Sequence, residues 1–457
     1  MIKSDTIIAL ATPPGIGAIS VIRISGKDAF KISNKLFFKK DNKKLLSFNS
    51  HTVHFGVIKF GNREIDEVLL TVFKTPHSYT GENVVEISCH GSTYIQQEII
   101  TVFIKQGVRL ANPGEFTLRA FLNGKMDLTQ AEAVADLINS ENEGSHKLAI
   151  KQMKKGFSSD LVKLRSELID FVSLIELELD FSEEDVEFAD RKEFKSLIIK
   201  IKNQLELLID SFSSGNVLKN GVAVAIVGKP NAGKSSLLNT LARDDKAIVS
   251  DIPGTTRDSI ENSINIKGIK FRFIDTAGLR ETDDKIETKG IEKTKDQIQK
   301  ANILIYLFDI NDMTELELTE SLNQFKRNDL KILLVRNKID IKNNNEKVLK
   351  KLKKLDLIEI SAIDKNSVDK LKEVLTESIN LRETNVNTII SNSRHLSALN
   401  KALESIKFVI SGIDDNLSGD LLSTDIKKCI ESIGEITGEV TNDDILGNIF
   451  SNFCIGK

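Results

Sequence analysis

Residues 222–235 read VAVAIVGKPNAGKS. Val222–Val227 is an uninterrupted apolar run, the pattern of a strand buried on both faces at the centre of a parallel sheet. The segment Gly228-Lys229-Pro230-Asn231-Ala232-Gly233-Lys234-Ser235 that follows fits G-x-x-x-x-G-K-[ST]. A strand leading into that loop is the context the motif requires. The glycines let backbone N–H groups turn inward around phosphates, with Ala232 and Ser236 in the same cradle. Lys234 brings a cation to the β and γ oxygens, and the Ser235 hydroxyl is a ligand for Mg²⁺. A chance glycine-rich turn is the alternative, and the strand before it argues against that.

Downstream, Gly254-Thr255-Thr256-Arg257-Asp258 supplies a switch threonine, Thr256, whose hydroxyl can reach Mg²⁺ when a γ-phosphate is present. Asp275-Thr276-Ala277-Gly278 comes just after an apolar run ending at Ile274. There Asp275 can hold the metal's water shell and Gly278 can offer an N–H to the γ-phosphate. Asn337-Lys338-Ile339-Asp340 follows Ile332–Val335. The Asp340 carboxylate can accept from guanine N1–H and the N2 amino group, a donor pair that adenine lacks. A site built on such bonds rejects the wrong base because its own buried groups go unpaired. Ser361-Ala362, followed by Ile363, completes the pocket. Five motifs in this order read as a GTP-hydrolysing switch. One position departs from the Ras-type pattern: Leu279 stands where those enzymes carry the glutamine that orients water. Water must then be positioned from elsewhere, and the loop Leu279–Gly290 offers Glu281, Asp283, Asp284 and Glu287. No arginine finger is evident, so a monovalent cation held by Asn231 is a candidate for the missing positive charge.

Around this core, 457 residues call for about two to four domains. With 40% hydrophobic and 28% charged residues, the chain reads as a soluble globular protein. A net charge of −3 gives no global case for nucleic-acid or anionic-membrane binding. Cys89, Cys429 and Cys454 are too few for a disulfide framework and fit a reducing compartment. The apolar stretch Ile7–Thr12 is too short for a secretory signal, and no run approaches the roughly 20 apolar residues of a membrane helix; the cytoplasm is the expected location. Residues 1 to about 120 alternate β-rich runs with turns, at Ile19–Ile24, His51–Phe60, Glu67–Phe73 and Val84–Ser88. From Lys125 the spacing turns helical, with Thr129 and Glu132 as a capping box. Leu161, Leu164, Leu168, Val172 and Ile175 continue it, then Leu197, Ile201, Leu205 and Leu208, up to a polar linker at Ser213–Gly221. Strands at Ile269–Ile274, Ile303–Phe308, Lys331–Val335 and Leu357–Ile360 alternate with helices, as in a doubly wound sheet. After residue 384 helices resume on Leu396, Leu399, Leu403 and Ile406, then Ile426, Ile430 and Ile433. The expected architecture is multidomain α/β plus α, with the P-loop domain inserted into one helical domain.

Several further segments carry a family resemblance. They are Ala11-Thr12-Pro13-Pro14-Gly15, Val21-Ile22-Arg23-Ile24-Ser25-Gly26, Ser78-Tyr79-Thr80-Gly81-Glu82 and Cys89-His90-Gly91. Pro113-Gly114-Glu115-Phe116-Thr117, Asn123-Gly124-Lys125-Met126-Asp127-Leu128, Asp275–Glu281 and Phe453-Cys454-Ile455-Gly456-Lys457 continue it. Over essentially its whole length the chain resembles the bacterial tRNA-modification GTPases of the MnmE (TrmE) family. That resemblance implies a folate-binding, dimerising domain at 1–122, a helical domain from 123–218 and 384–457, and a GTPase domain at 219–383. It implies a homodimer that joins an FAD-dependent partner in a heterotetramer. That complex installs an aminomethyl or carboxymethylaminomethyl group at C5 of the wobble uridine of tRNA, with no membrane involved. The one-carbon unit comes from a tetrahydrofolate, the 5-formyl or 5,10-methylene form. Residue by residue, it implies that Asn231, the backbone at Ser250 and Ile252, and Thr255 surround K⁺, while Ser235 and Thr256 hold Mg²⁺. It further implies that Glu287 positions the hydrolytic water and that Arg23, Glu82, Lys125 and Lys457 line the folate pocket. Ser92 stands where the family shows a second glycine.

From residues alone, Arg23, Glu82 and Lys125 read more readily as surface charges than as folate contacts, and His90 as a turn residue or a cofactor neighbour. Cys454 could be inert or chemically active. A regulatory GTPase of ribosome assembly is the competing function; the N-terminal 120 residues and the Phe453–Lys457 segment speak against it, as does the lack of a recognisable RNA-binding module.

Overall fold

A computed structural model describes residues 5–39, 44–154, 156–180, 191–244, 262–274, 298–325, 327, 330–341, 356–379, 389–441, 443–451 and 453–457. The chain forms two compact units. Met1–Ile138, Ile150–Leu205 and Ser397–Lys457 make the first; Asn139–Ala149 and Glu206–Leu396 make the second.

The first unit contains a sheet of β1 (Ile7–Leu10), β2 (Ile19–Ser25), β3 (Phe37–Phe38), β4 (Thr52–Phe60), β5 (Arg63–Phe73), β6 (Val84–His90) and β7 (Arg109–Leu110). Among the described residues their spatial order is β3-β4-β5-β6-β2-β1-β7. Only β1 and β7 pair in parallel; the other neighbours are antiparallel. Side chains alternate between faces, as strand geometry dictates. One set, including Ile22, Ile24, Ile58, Val68, Leu70, Val72, Val85 and Ile87, is buried with Phe30, Ile32 and Leu36 of the helix Ala29–Leu36 and Ile99 and Phe103 of the helix Thr93–Lys105. Each such side chain contributes about 1.5–3 kcal/mol relative to exposure. The alternate set is open in part: Ile19, Val53, Phe55 and Leu69 are 67%, 58%, 57% and 47% exposed, while Ile7 and Ala9 are buried with Phe116. Arg23 and Glu86 lie opposite each other in register on that same face. Ser92 precedes the second helix with φ −81°, extended backbone that asks for no glycine.

In the helical part, Leu161, Leu164, Leu168, Val172 and Ile175 are all buried along the helix Gly156–Asp180. The expected cap at Thr129 is corrected. The helix Leu128–Ile138 already contains Thr129. Its cap is Asp127, whose Oδ1 accepts from the Gln130 N–H (2.9 Å) and the Thr129 hydroxyl (2.6 Å). A carboxylate at that point satisfies the free first-turn N–H better than a hydroxyl two residues further in. The linker expected at Ser213–Gly221 is also corrected: the helix Arg191–Asn220 runs through Ser213–Asn220. Tertiary bonding overrides composition there, for the Ile390 N–H donates to Ser211 Oγ (3.1 Å).

The second unit holds β8 (Val222–Val227), β9 (Asn262–Ile266), β10 (Ile269–Phe273), β11 (Ile303–Asp309), β12 (Lys331–Asn337) and β13 (Leu357–Glu359). Their order among the described residues is β13-β12-β11-β8-β10-β9, all parallel except the edge pair β9–β10. The sequence pattern did not single out β9. Among the described residues no helix is long and apolar enough to cross a membrane.

Candidate functional site

Strand β8 is where the sheet order reverses, with β10 on one side and β11 on the other. Ligands of open α/β sheets sit at the carboxyl ends of strands at such a switch point. Gly228–Gly233 leaves β8 there and enters the helix Lys234–Asp244, whose first turn carries Lys234, Ser235 and Ser236. Asn231 takes φ +61° and Gly233 φ +97°. The Lys234 ammonium donates to the carbonyls of Gly228 (2.8 Å) and Lys229 (2.9 Å), so the loop wraps its own cation. Burial lowers the Lys234 pKa, and an anion in the loop opposes that shift.

The base-reading residues are bonded to this loop. Asn337, 2% exposed, donates from Nδ2 to the Ala232 carbonyl (2.7 Å) and accepts at Oδ1 from the Ala362 N–H (2.8 Å). The Ser361 hydroxyl donates to Asp340 Oδ1 (2.6 Å), which holds the Asp340 carboxyl below its ordinary pKa. Lys338, at φ +60°, pairs with Asp309 at 3.0 Å. Two residues outside the sequence reading complete the frame. Thr240 donates to the Ala362 carbonyl (2.6 Å), and Ser367 Oγ accepts from the Ser361 N–H (2.6 Å). Ile363 is 77% exposed. The phosphate loop and the base-reading loops are thus one hydrogen-bonded body. Ser250, Ile252, Thr255, Thr256, Asp275, Thr276, Ala277, Gly278 and Glu287 lie outside the described residues.

A second cluster forms in the first unit, around the turn Ser78–Glu82. The Arg23 guanidinium stands 5.1 Å from the Tyr79 ring centroid and 5.6 Å from that of Phe116, within cation–π range. It donates to Glu86 (2.8 Å) and to the Gly456 carbonyl (3.3 Å). The Phe453–Lys457 segment is fixed there by the Gly114 N–H donating to the Cys454 carbonyl (3.4 Å) and the Phe116 N–H to that of Lys457 (3.2 Å). Gly456 takes φ +100°, and a Cβ on it would lie 2.3 Å from the Leu10 carbonyl. Burial, then repulsion from Arg23, lowers the Lys457 ammonium pKa. Glu82 accepts from the Ser25 hydroxyl (2.7 Å), and Lys125 donates to the Pro76 carbonyl (3.0 Å). Arg23 thus lies over Tyr79 of that turn and Glu82 belongs to it, Lys125 bonds Pro76 just before it, and the Lys457 ammonium is within electrostatic reach of Arg23.

A family model described as the MnmE helical domain matches residues 128–454, and one described as the GTP-binding protein TrmE N-terminus matches residues 6–125. The chain is 53% identical over 473 residues to the tRNA modification GTPase MnmE of Christiangramia forsetii, covering 99% of both chains. It is 54% identical over 466 residues to that of Flavobacterium johnsoniae, covering 100% of both. The chain belongs to the MnmE family. Solved structures align over less. A crystal structure of Aquifex aeolicus Era bound to GDP.AlF4⁻ is 25% identical over 40% of this chain and 65% of that one, at a TM-score of 0.27. The FeoB G-domain from Methanococcus jannaschii is 23% identical over 34% of this chain and 96% of that one, at a TM-score of 0.25.

Two of the cysteines of this MnmE-family chain are buried thiols. Burial pushes Cys89 up to about 11 and Cys429 up to about 12, far from the thiolate form. Cys454 is exposed. His90 is tied to Asp66, whose Oδ2 accepts from the His90 N–H (2.8 Å) and whose Oδ1 bonds His90 Nδ1 (2.7 Å). A charge network behind Glu82, formed by Asp5, Arg109, Glu115 and Arg119, has no motif in the sequence to announce it.

Proposed function

We propose that this MnmE-family chain, a GTP hydrolase acting in tRNA modification, is K⁺-activated and works as a homodimer with an FAD-dependent partner. The complex installs an aminomethyl or carboxymethylaminomethyl group at C5 of the wobble uridine, with a tetrahydrofolate supplying the one-carbon unit. The observation that carries the nucleotide part is Asn337, which bonds the phosphate loop to the base-reading loop in one frame. Lys234 binds and neutralises the β and γ oxygens, and Asp340 accepts the guanine donor pair. Ser235 fits a metal ligand at the start of its helix, joined by Thr256. Asn231 fits a ligand for K⁺, with Thr255 and the backbone of Ser250 and Ile252. When bound, these cations offset charge that builds up on the transferring phosphoryl group. Glu287 orients the attacking water in place of the glutamine that Leu279 displaces.

The cluster at Ser78–Glu82 supports the folate reading. It offers a cation over aromatic rings and a fixed carboxylate within one small volume, a set suited to a flat, amino-substituted ring with an acidic tail. The open apolar face with Ile19, Val53, Phe55 and Leu69 supports dimerisation, since solvated faces of this kind mark interfaces. Full-length kinship to tRNA-modification enzymes favours this function over ribosome assembly.

Mass spectrometry of tRNA from cells lacking the protein tests the proposal. Loss of the C5-modified wobble uridine is expected, and an unchanged nucleoside profile refutes it. In hydrolysis assays, K⁺ should accelerate turnover where Na⁺ does not. Glu287→Ala should lower kcat by about 10²-fold with GTP affinity kept, the pattern of a contact made in the transition state. Turnover near wild type in that variant returns Glu287 to a solvated loop.

A further inference from the structure

Arg119, in the helix Glu115–Leu122, has a side chain 3% exposed. Its Nη1 donates to the Asp5 carbonyl (2.7 Å) and reaches both Glu82 oxygens, at 3.3 and 3.2 Å. Its Nη2 donates to Asp5 Oδ1 (2.7 Å) and Glu115 Oε1 (2.9 Å). Behind it, Arg109 holds the same two carboxylates, Asp5 at 2.7 Å and Glu115 at 2.6 Å. Three carboxylates (Asp5, Glu82, Glu115) face two guanidiniums (Arg109, Arg119), leaving one negative charge in surplus. Glu82 and Asp5 are the two carboxylates of the set that reach solvent, at 24% and 28% exposure, and Glu82 is the one held by a single guanidinium. Arg109 makes no bond to it, and its side chain is 24% exposed where that of Glu115 is 5%. The Lys125 ammonium donates to the Pro76 carbonyl. On the strand side, Ser25 is fully buried, donates to Glu82 Oε2 (2.7 Å) and is hydrogen-bonded to Thr80 Oγ1 (2.7 Å). The Glu82 carboxylate is thereby held from two sides, while Oε1 receives only the longer Arg119 contact.

We infer that Arg119 is a positioning residue for the folate-class ligand: with Ser25 it fixes the Glu82 carboxylate as acceptor for the paired N–H donors of the ligand's amino-pyrimidinone ring. This rests on the folate reading above. Adjacent ring and amino N–H groups match the two oxygens of a carboxylate only when its plane is set, and an unrestrained glutamate must give up rotamer freedom to comply.

Calorimetry of the full chain with 5-formyltetrahydrofolate tests this, using wild type, Glu82→Gln, Ser25→Ala, Arg119→Lys and each of the last two combined with Glu82→Gln. Thermal melts are run on every variant. Ser25→Ala and Arg119→Lys should each weaken binding about tenfold, the effect of one bond to a charged group. Glu82→Gln should weaken it by about 10²-fold, and adding either second change should then cost less than about twofold, because coupled residues are not additive. Losses that simply add in the Glu82→Gln background indicate a general structural role and overturn the inference. So does unchanged affinity in both single variants beside a weakened Glu82→Gln, an outcome that leaves the folate reading standing. Equal affinity in Glu82→Gln and wild type also sinks the inference, and a wild-type chain that binds no folate sinks both. If Arg119→Lys fails to fold, Ser25→Ala, which removes one neutral hydroxyl, decides alone.

Discussion

Asp340→Asn should weaken GTP binding by about 10⁴-fold, the scale at which sites built on hydrogen bonds reject a mismatched partner. The wild-type carboxylate is kept ionised by the Ser361 hydroxyl and presents two acceptor oxygens. Asparagine replaces one of them with an amino group that points donor at donor against guanine N2. Xanthosine triphosphate carries a carbonyl at that ring position, so the variant should prefer it. Competition binding with a fluorescent guanine nucleotide measures both arms. Equal GTP affinity in variant and wild type removes Asp340 from the base site.

Gly233→Ala should lower GTP affinity by about 10³-fold, built from two separable costs. A side chain held at φ +97° is strained by about 1–3 kcal/mol. Its Cβ would also lie 2.1 Å from Asn337 Nδ2, where nothing can stay. Asn337 must then release the Ala232 carbonyl, or the Ala362 N–H, or both, and each buried group left unpaired costs about 1–3 kcal/mol. The free variant loop relaxes to shed these costs and must restore the geometry to bind, so a total near 4 kcal/mol corresponds to about 10³ in Kd. Thermal melts without nucleotide separate this from unfolding. The damage should reach the guanine end, so discrimination between GTP and ATP should narrow as well. Retained discrimination beside reduced affinity places the damage in the phosphate loop alone.

Sequence reading recovered what depends on neighbours along the chain. Val222–Val227 is apolar at every position because both faces of a central strand are covered. The glycine-lysine-serine turn after it needs no partner to be recognised. Where an element depends on something distant, the pattern failed. The edge strand Asn262–Ile266 interleaves polar residues and exposes no continuous apolar run. Ser213–Asn220 composes like a linker yet continues a helix whose Ser211 is bonded to Ile390, 179 positions later. The network behind Glu82 joins Asp5 to Arg109 and Arg119 across separations of 104 and 114 positions. No local periodicity encodes those pairs. In the nucleotide site the motif residues were legible, while Thr240 and Ser367, which brace the motifs, look like ordinary helix residues.

The packing of Phe453–Lys457 against Leu10 and Phe116 has a consequence for how the protein is made. The bond between Arg23 and Gly456 closes a span of 433 positions. A ribosome adding about 5–20 residues per second needs roughly 20–90 s to cover that distance. Throughout that interval the early sheet lacks the carbonyls of Cys454, Gly456 and Lys457, to which Gly114, Arg23 and Phe116 donate. The contact between Arg23 and Gly456 is therefore among the last in the first unit to form during synthesis.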